Sequence, residues 1–106
     1  MTESGRHSER LDAPKGGAAR TKTEIRDAID TIDRQVVDLL VQRMGLALEI
    51  GALKRRAGEP VLDTKREESL LAKVRGLSRA PLDEEGIQAI YETIMKVSRR
   101  LQKEKS

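Results

Sequence analysis

The sequence predicts an all-α protein: a three-helix protomer with one very long first helix, assembled as an intertwined helical homodimer. Three observations carry that expectation. Apolar residues recur in alternating steps of four and three at Ile25, Ile29, Ile32, Val36 and Leu39, and again at Leu46, Ile50, Leu53 and Ala57, the spacing that lines one side of an α-helix. The prolines stand only at positions 14, 60 and 81, so they punctuate the chain without interrupting its periodic stretches. There is no Phe or Trp and a single Tyr, while 37% of residues are charged with both signs interleaved, which suits solvated helix faces around an aliphatic core.

At 106 residues the chain holds one domain at most. Residues 1 to 22, MTESGRHSERLDAPKGGAARTK, mix Gly, Pro, Ser and charges and are expected to form a disordered N-terminal tail. Residues 23 to 106 are expected to form the helical domain. The first helix should run from about Thr23 to Arg56, with Glu24 suited to its positive end. Gly58 and Pro60 in AGEP stop it. Gly45 and Gly51 inside it each cost about 1 kcal/mol relative to alanine; they mark either close packing or ligand approach, or ordinary tolerated glycines.

A second helix is expected over 64 to 77, opened by Thr64 and Glu67 at capping-box spacing and burying Leu70, Leu71, Val74 and Leu77. SRAPLDEEG makes the turn. A third helix is expected over 83 to 103, with Ile87, Ile90, Tyr91, Ile94, Val97 and Leu101 inward. The first helix would reach ~50 Å and the others roughly 20 and 30 Å, so one protomer cannot cover its seam. A second copy is the expected partner.

Composition also excludes functions. With 21 basic against 18 acidic residues and a single aromatic, the chain lacks the basic stripe and stacking platforms of a nucleic-acid binder. Cysteine is absent and the only histidine is His7, which argues against thiolate or imidazole chemistry. No cofactor and no metal are expected. No apolar run suits a membrane span or secretory signal, so a cytoplasmic protein is expected.

Polar residues on apolar faces point to a site. Arg43 occupies the one position missing from the first helix's apolar series, and a buried guanidinium asks for an anion. Lys54 follows eleven residues later, three turns on with ~20° of rotation, so both cations share a face. Arg26, seventeen residues before Arg43, lies about 25 Å away along the axis and joins such a site only from a second chain. Ser98 and Gln102 are neighbours on the third helix, in line with Tyr91 and Met95. Taken alone, they also fit polar flanks near a helix end. Asp63, Arg66 and Glu67 taken alone fit an N-cap with a local ion pair, and Lys54 fits a cation at a helix C-terminus. Together the set suits a small dianion bearing a hydroxyl and contains no obvious nucleophile.

These residues resemble the all-helical chorismate mutases, the bacterial type with an intertwined homodimer. IRDAIDTIDRQVVDLLVQRM is similar to that family's first-helix signature, with Arg26 and Arg43 at its arginine positions, and LEIGALK carries its lysine at Lys54. VLDTKREESLL places Asp63, Arg66 and Glu67, and IMKVSRRLQ ends with Ser98 and Gln102. Met44 departs from members that carry a second arginine there.

The resemblance implies the rearrangement of chorismate to prephenate, without cofactor, on the route to phenylalanine and tyrosine. By family analogy, Arg26 of the other protomer and Arg43 hold the carboxylates, supported by Arg66 and Ser98. Glu67, with Asp63 nearby, contacts the ring hydroxyl; Lys54 and Gln102 face the ether oxygen. Lys54, Gln102, Arg43 and Glu67 are thus the expected catalytic residues. The alternatives are a 4-amino-4-deoxychorismate mutase, whose amino group Glu67 also suits, and isochorismate pyruvate lyase chemistry, whose relatives lack the carboxylate-rich second-helix signature. A non-catalytic helical regulatory or oligomerisation module, a partner of another shikimate-pathway enzyme, is the third.

Overall fold

A computed structural model of the chain describes residues 19 to 105. The expectation of a disordered tail falls for its first 18 residues outside the described residues. Three α-helices follow one another: α1, Lys22–Ala57; α2, Thr64–Leu77; and α3, Glu84–Glu104. Among the described residues the only β feature is an isolated bridge between Arg79 and Leu82.

The helix ends are set by local chemistry. Thr21 Oγ1 accepts from the Glu24 backbone N–H at 3.0 Å, and the Glu24 carboxylate accepts from the Thr21 N–H at 2.8 Å. This reciprocal capping box satisfies two N–H groups that the first turn cannot, and it starts α1 one residue before the expected Thr23. At the other end Gly58 has φ +73°. Its N–H bonds to Arg55 O at 3.1 Å, and the Glu59 N–H bonds to Lys54 O at 2.8 Å, the paired bonds of a Schellman motif.

α2 differs in detail from the sequence expectation. Its N-cap is Asp63, whose Oδ1 accepts from the Arg66 backbone N–H at 3.0 Å, and Thr64 is the first helical residue rather than the cap. A carboxylate at this position satisfies the same orphan donor as a hydroxyl and adds a favourable charge at the helix start. α3 is capped in the same way, Asp83 Oδ1 accepting from the Gly86 N–H at 2.7 Å.

The described chain falls into two units, divided after Leu40. In the first, every large apolar residue of α1 except the half-buried Leu40 is exposed, Ile29 at 48% and Leu39 at 63% among them. In the second, which holds the rest of α1 with α2 and α3, the buried side chains are Val74 and Met95 together with two polar ones, Ser98 and Gln102. Leu77 and Ile90, expected to face inward, are exposed. The seam positions Leu46, Ile50 and Leu53 are exposed as well, so apolar periodicity marks faces that this single chain does not itself cover.

Candidate active site

Polar side chains at the middle of a protein need a reason, since burial without partners is costly. In the second unit Ser98 and Gln102, each only 7% exposed, stand one turn apart on α3. They open onto a cavity of about 300 Å³, a size suited to a small molecule.

Each helix contributes to its walls. α1 supplies Arg43 and Lys54, whose spacing of three turns predicted a shared face. The N-terminus of α2 supplies Asp63, Arg66 and Glu67, and α3 supplies Ser98 and Gln102. Leu46, Ala47, Ile50, Val61, Leu70 and Met95 provide the apolar wall between them. The one expected residue not among the lining is Arg26, which is exposed on α1 in the first unit.

Arg43 is oriented by its neighbours. Its Nη1 donates to Ser98 Oγ at 3.3 Å, and its guanidinium lies 5.8 Å from the centre of the Tyr91 ring, within cation–π range. The Ser98 hydroxyl has two acceptors in reach, Ile94 O at 3.0 Å and Met44 Sδ at 3.3 Å. Having one proton, it serves one at a time while receiving the Arg43 bond. Met44 thus packs behind the serine rather than adding charge to the site.

Lys54 reaches across the helix end, its Nζ donating to Val61 O at 2.8 Å. One of three ammonium protons is engaged there, and two remain for a ligand. Asp63 caps α2 with one oxygen, so its position is fixed by the helix that follows. Gly51 is buried, and a Cβ built on it would stand 3.0 Å from Gln102 Cγ and 3.3 Å from Gln102 Cβ. The glycine is therefore what lets the amide-bearing chain lie against α1. Gly45, the other glycine singled out, has nothing within 4 Å of such a Cβ.

One site residue was missed in the sequence. Arg99 lines the same cavity, and its Nη1 contacts both oxygens of the Glu67 carboxylate, at 2.6 and 2.5 Å. In an RR pair it reads as a solvated cation. The available signal was its spacing, four after Met95 and three before Gln102, which puts it beside the buried line of α3. Glu67's ion pair is accordingly a long-range one across α2 and α3, not the local pair that the sequence around residue 63 suggested.

The cavity joins cations, carboxylates, a hydroxyl and an amide against an aliphatic wall, an arrangement suited to a small anionic ligand. The family model described as chorismate mutase type II matches residues 25–103. The chain is similar to the chorismate mutase of Methanocaldococcus jannaschii, 30% identical over 82 residues that make up 76% of this chain and 83% of that one. It is also similar to the T-protein of Enterobacter agglomerans, 43% identical over 53 residues, half of this chain; it spans only 14% of that relative's length. Among solved structures it resembles the chorismate mutase of Helicobacter pylori in complex with prephenate, with TM-score 0.72 and 29% identity over 77% of this chain and 89% of that one.

Proposed function

The chain belongs to the chorismate mutase type II family, and from that premise we propose that it is an isomerase that converts chorismate to prephenate. The observation that carries this reading is the cavity itself: Arg43, Lys54, Asp63, Arg66, Glu67, Ser98 and Gln102 all line it. The similarity to a chorismate mutase bound to prephenate supports the same reading.

The reaction is an intramolecular pericyclic shift in which one carbon–oxygen bond breaks as one carbon–carbon bond forms. No nucleophile is required, which agrees with the residues at hand. Arg43, together with Arg26 of a second copy, takes the substrate carboxylates; Arg66 and Ser98 support the pocket, Ser98 accepting from the Arg43 guanidinium. Glu67, with Asp63 nearby, accepts from the ring hydroxyl. Lys54 and Gln102 donate to the ether oxygen.

Holding both carboxylates selects a compact conformer with the reacting carbons close, which lowers the conformational part of the barrier. The greater effect is electrostatic. Negative charge grows on the ether oxygen as its bond to carbon breaks, so donors fixed beforehand stabilise the transition state more than the substrate.

A second copy completes the site in this proposal. It supplies Arg26 and covers the exposed apolar positions of α1, Ile25, Ile29, Ile32, Val36 and Leu39. A row of that length has the character of an obligate interface rather than of scattered surface residues.

The direct test is loss of chorismate absorbance with purified protein and identification of the product. Prephenate is expected; pyruvate release or no conversion contradicts the proposal. Two further outcomes follow from single residues. Gln102 is a neutral amide and donates at any pH, whereas a glutamate there would have to be protonated to do so. Turnover is therefore expected to vary little between pH 5 and 8, and a steep fall across that range with the fold intact contradicts the role given to Gln102.

Gly51→Ala separates packing from catalysis. The added methyl improves helix propensity by about 1 kcal/mol but meets the Gln102 stem at 3.0 Å, so the amide must shift. A melting temperature near that of the wild type, with turnover down by about tenfold, is the expected result. Unchanged turnover shows that Gln102's placement does not matter to the chemistry.

A further inference from the structure

Glu67 does not enter the cavity as a lone carboxylate. Arg99 Nη1 bridges its two oxygens, at 2.6 and 2.5 Å, and the two side chains are 33% and 23% exposed. Both line the cavity. The pair sits where α2 and α3 face each other, one residue along α3 from Ser98 and three before Gln102.

We infer that Arg99 is a specificity-determining positioning residue: by balancing the charge of Glu67, it makes this end of the site select a neutral hydroxyl over an ammonium on the substrate ring. The inference rests on the mutase reading, in which Glu67 meets the ring substituent.

The physical reasoning concerns net charge. A lone carboxylate attracts an ammonium far more strongly than a hydroxyl, because the first is an ion pair and the second a hydrogen bond to one charged partner. With a guanidinium in contact, the charge of the Glu67–Arg99 pair sums to zero. An ammonium arriving at Glu67 then stands within a few ångströms of Arg99, and like-charge repulsion opposes most of its gain. A hydroxyl carries no such penalty. The carboxylate has about four lone-pair directions, so it accepts a hydroxyl proton while still holding Arg99.

The surroundings reinforce this bias. Arg99 also lines an adjoining cavity with Lys96, Arg100, Lys103 and Glu104; Glu104 pairs with Arg100 at 3.0 Å, and Lys96 and Lys103 leave the outer side of the pair with an excess of positive charge. A dianion is favoured by such a setting and a ring cation is not.

The expected signature is a change of preference rather than simple loss of activity. Chorismate and 4-amino-4-deoxychorismate would be compared by kcat/KM, and by inhibition constant where turnover of the amino compound is too slow. Melting temperatures would be recorded for every variant. In Arg99→Met the preference for the hydroxyl compound should fall by about tenfold or more. Arg99→Lys, which keeps the cation, should retain most of it. Glu67→Gln leaves the cation unbalanced and should move the ratio the opposite way, toward stronger rejection of the amine.

A merely structural tie between α2 and α3 would move the melting temperature and leave the ratio alone. If wild-type protein converts chorismate but the ratio is the same in Arg99→Met, the inference is overturned by itself. Should Arg99→Met not fold, a ratio in Glu67→Gln that is unmoved or moved toward the amine overturns it equally. Wild-type protein that does not convert chorismate overturns the mutase reading, and this inference with it.

Discussion

Lys54→Ala is expected to lose about 10²-fold or more in kcat, the size of effect seen when a fixed donor to a developing oxyanion is removed. Its ammonium is held at the cavity wall by a 2.8 Å bond to Val61 O, so it is oriented before any ligand arrives. The charge it meets is small in the substrate and grows as the carbon–oxygen bond breaks. Its effect should therefore appear in kcat more than in KM. Lys54→Met, which keeps much of the side chain's bulk without the charge, should lose nearly as much, separating charge from packing. Ser98→Ala should lose only severalfold, because Ser98 touches Arg43 and Met44 and acts by holding the arginine. Steady-state kinetics decide the matter, and near-wild-type kcat in Lys54→Ala would rule out the mechanism.

Arg43→Ala should abolish saturable binding of chorismate while fold and self-association persist. Removing one partner of a buried charged contact typically costs 2 to 5 kcal/mol or more, so kcat/KM is expected to fall by roughly 10²-fold or more. The protein itself loses a single 3.3 Å hydrogen bond to Ser98 and a contact with Tyr91, and it replaces a cation with a small apolar residue in an apolar series. Stability should therefore hold. Arg43→Lys is not expected to rescue binding, since a point charge cannot reproduce the planar fork that grips a carboxylate. Calorimetric titration with chorismate and a sedimentation or light-scattering mass together test this: binding preserved, or association lost, contradicts the role assigned to Arg43.

Much of this molecule was readable in its sequence because helices advertise themselves by period. The steps of four and three from Ile25 to Ala57 foretold α1 to within a residue at either end, and the break at Gly58 was plain from residue type. Arg43 stood out because it violated the series. Its neighbours in space, Ser98 and Glu67, were legible only as a set, since each alone suits a helix end.

What escaped were pairings between distant positions. Period places a residue on a face but does not say which residue of another helix meets it. Glu67 and Arg99 are 32 residues apart, and no spacing rule links them. Caps were harder to fix for a different reason. Thr21 has Thr23 two residues on, and Asp63, which the N-cap reading of its cluster allowed, stands beside Thr64 of similar capping strength. Arg26 is picked out by the family resemblance, and the role proposed for it rests on a second copy.

Lys54 joins two functions that are usually kept apart. Its backbone carbonyl takes the Schellman bond that ends α1, and its side chain grips Val61 four residues after that helix closes. The segment from Gly58 to Val61 is therefore a ruler fixed at both ends by one amino acid. Adding or deleting a single residue there would leave the helices intact as helices but retune the distance from ammonium to substrate. Apart from Gly58, whose positive φ favours glycine, variation in this surface turn, ordinarily the most permissive kind of segment, should be tolerated in residue type but not in length.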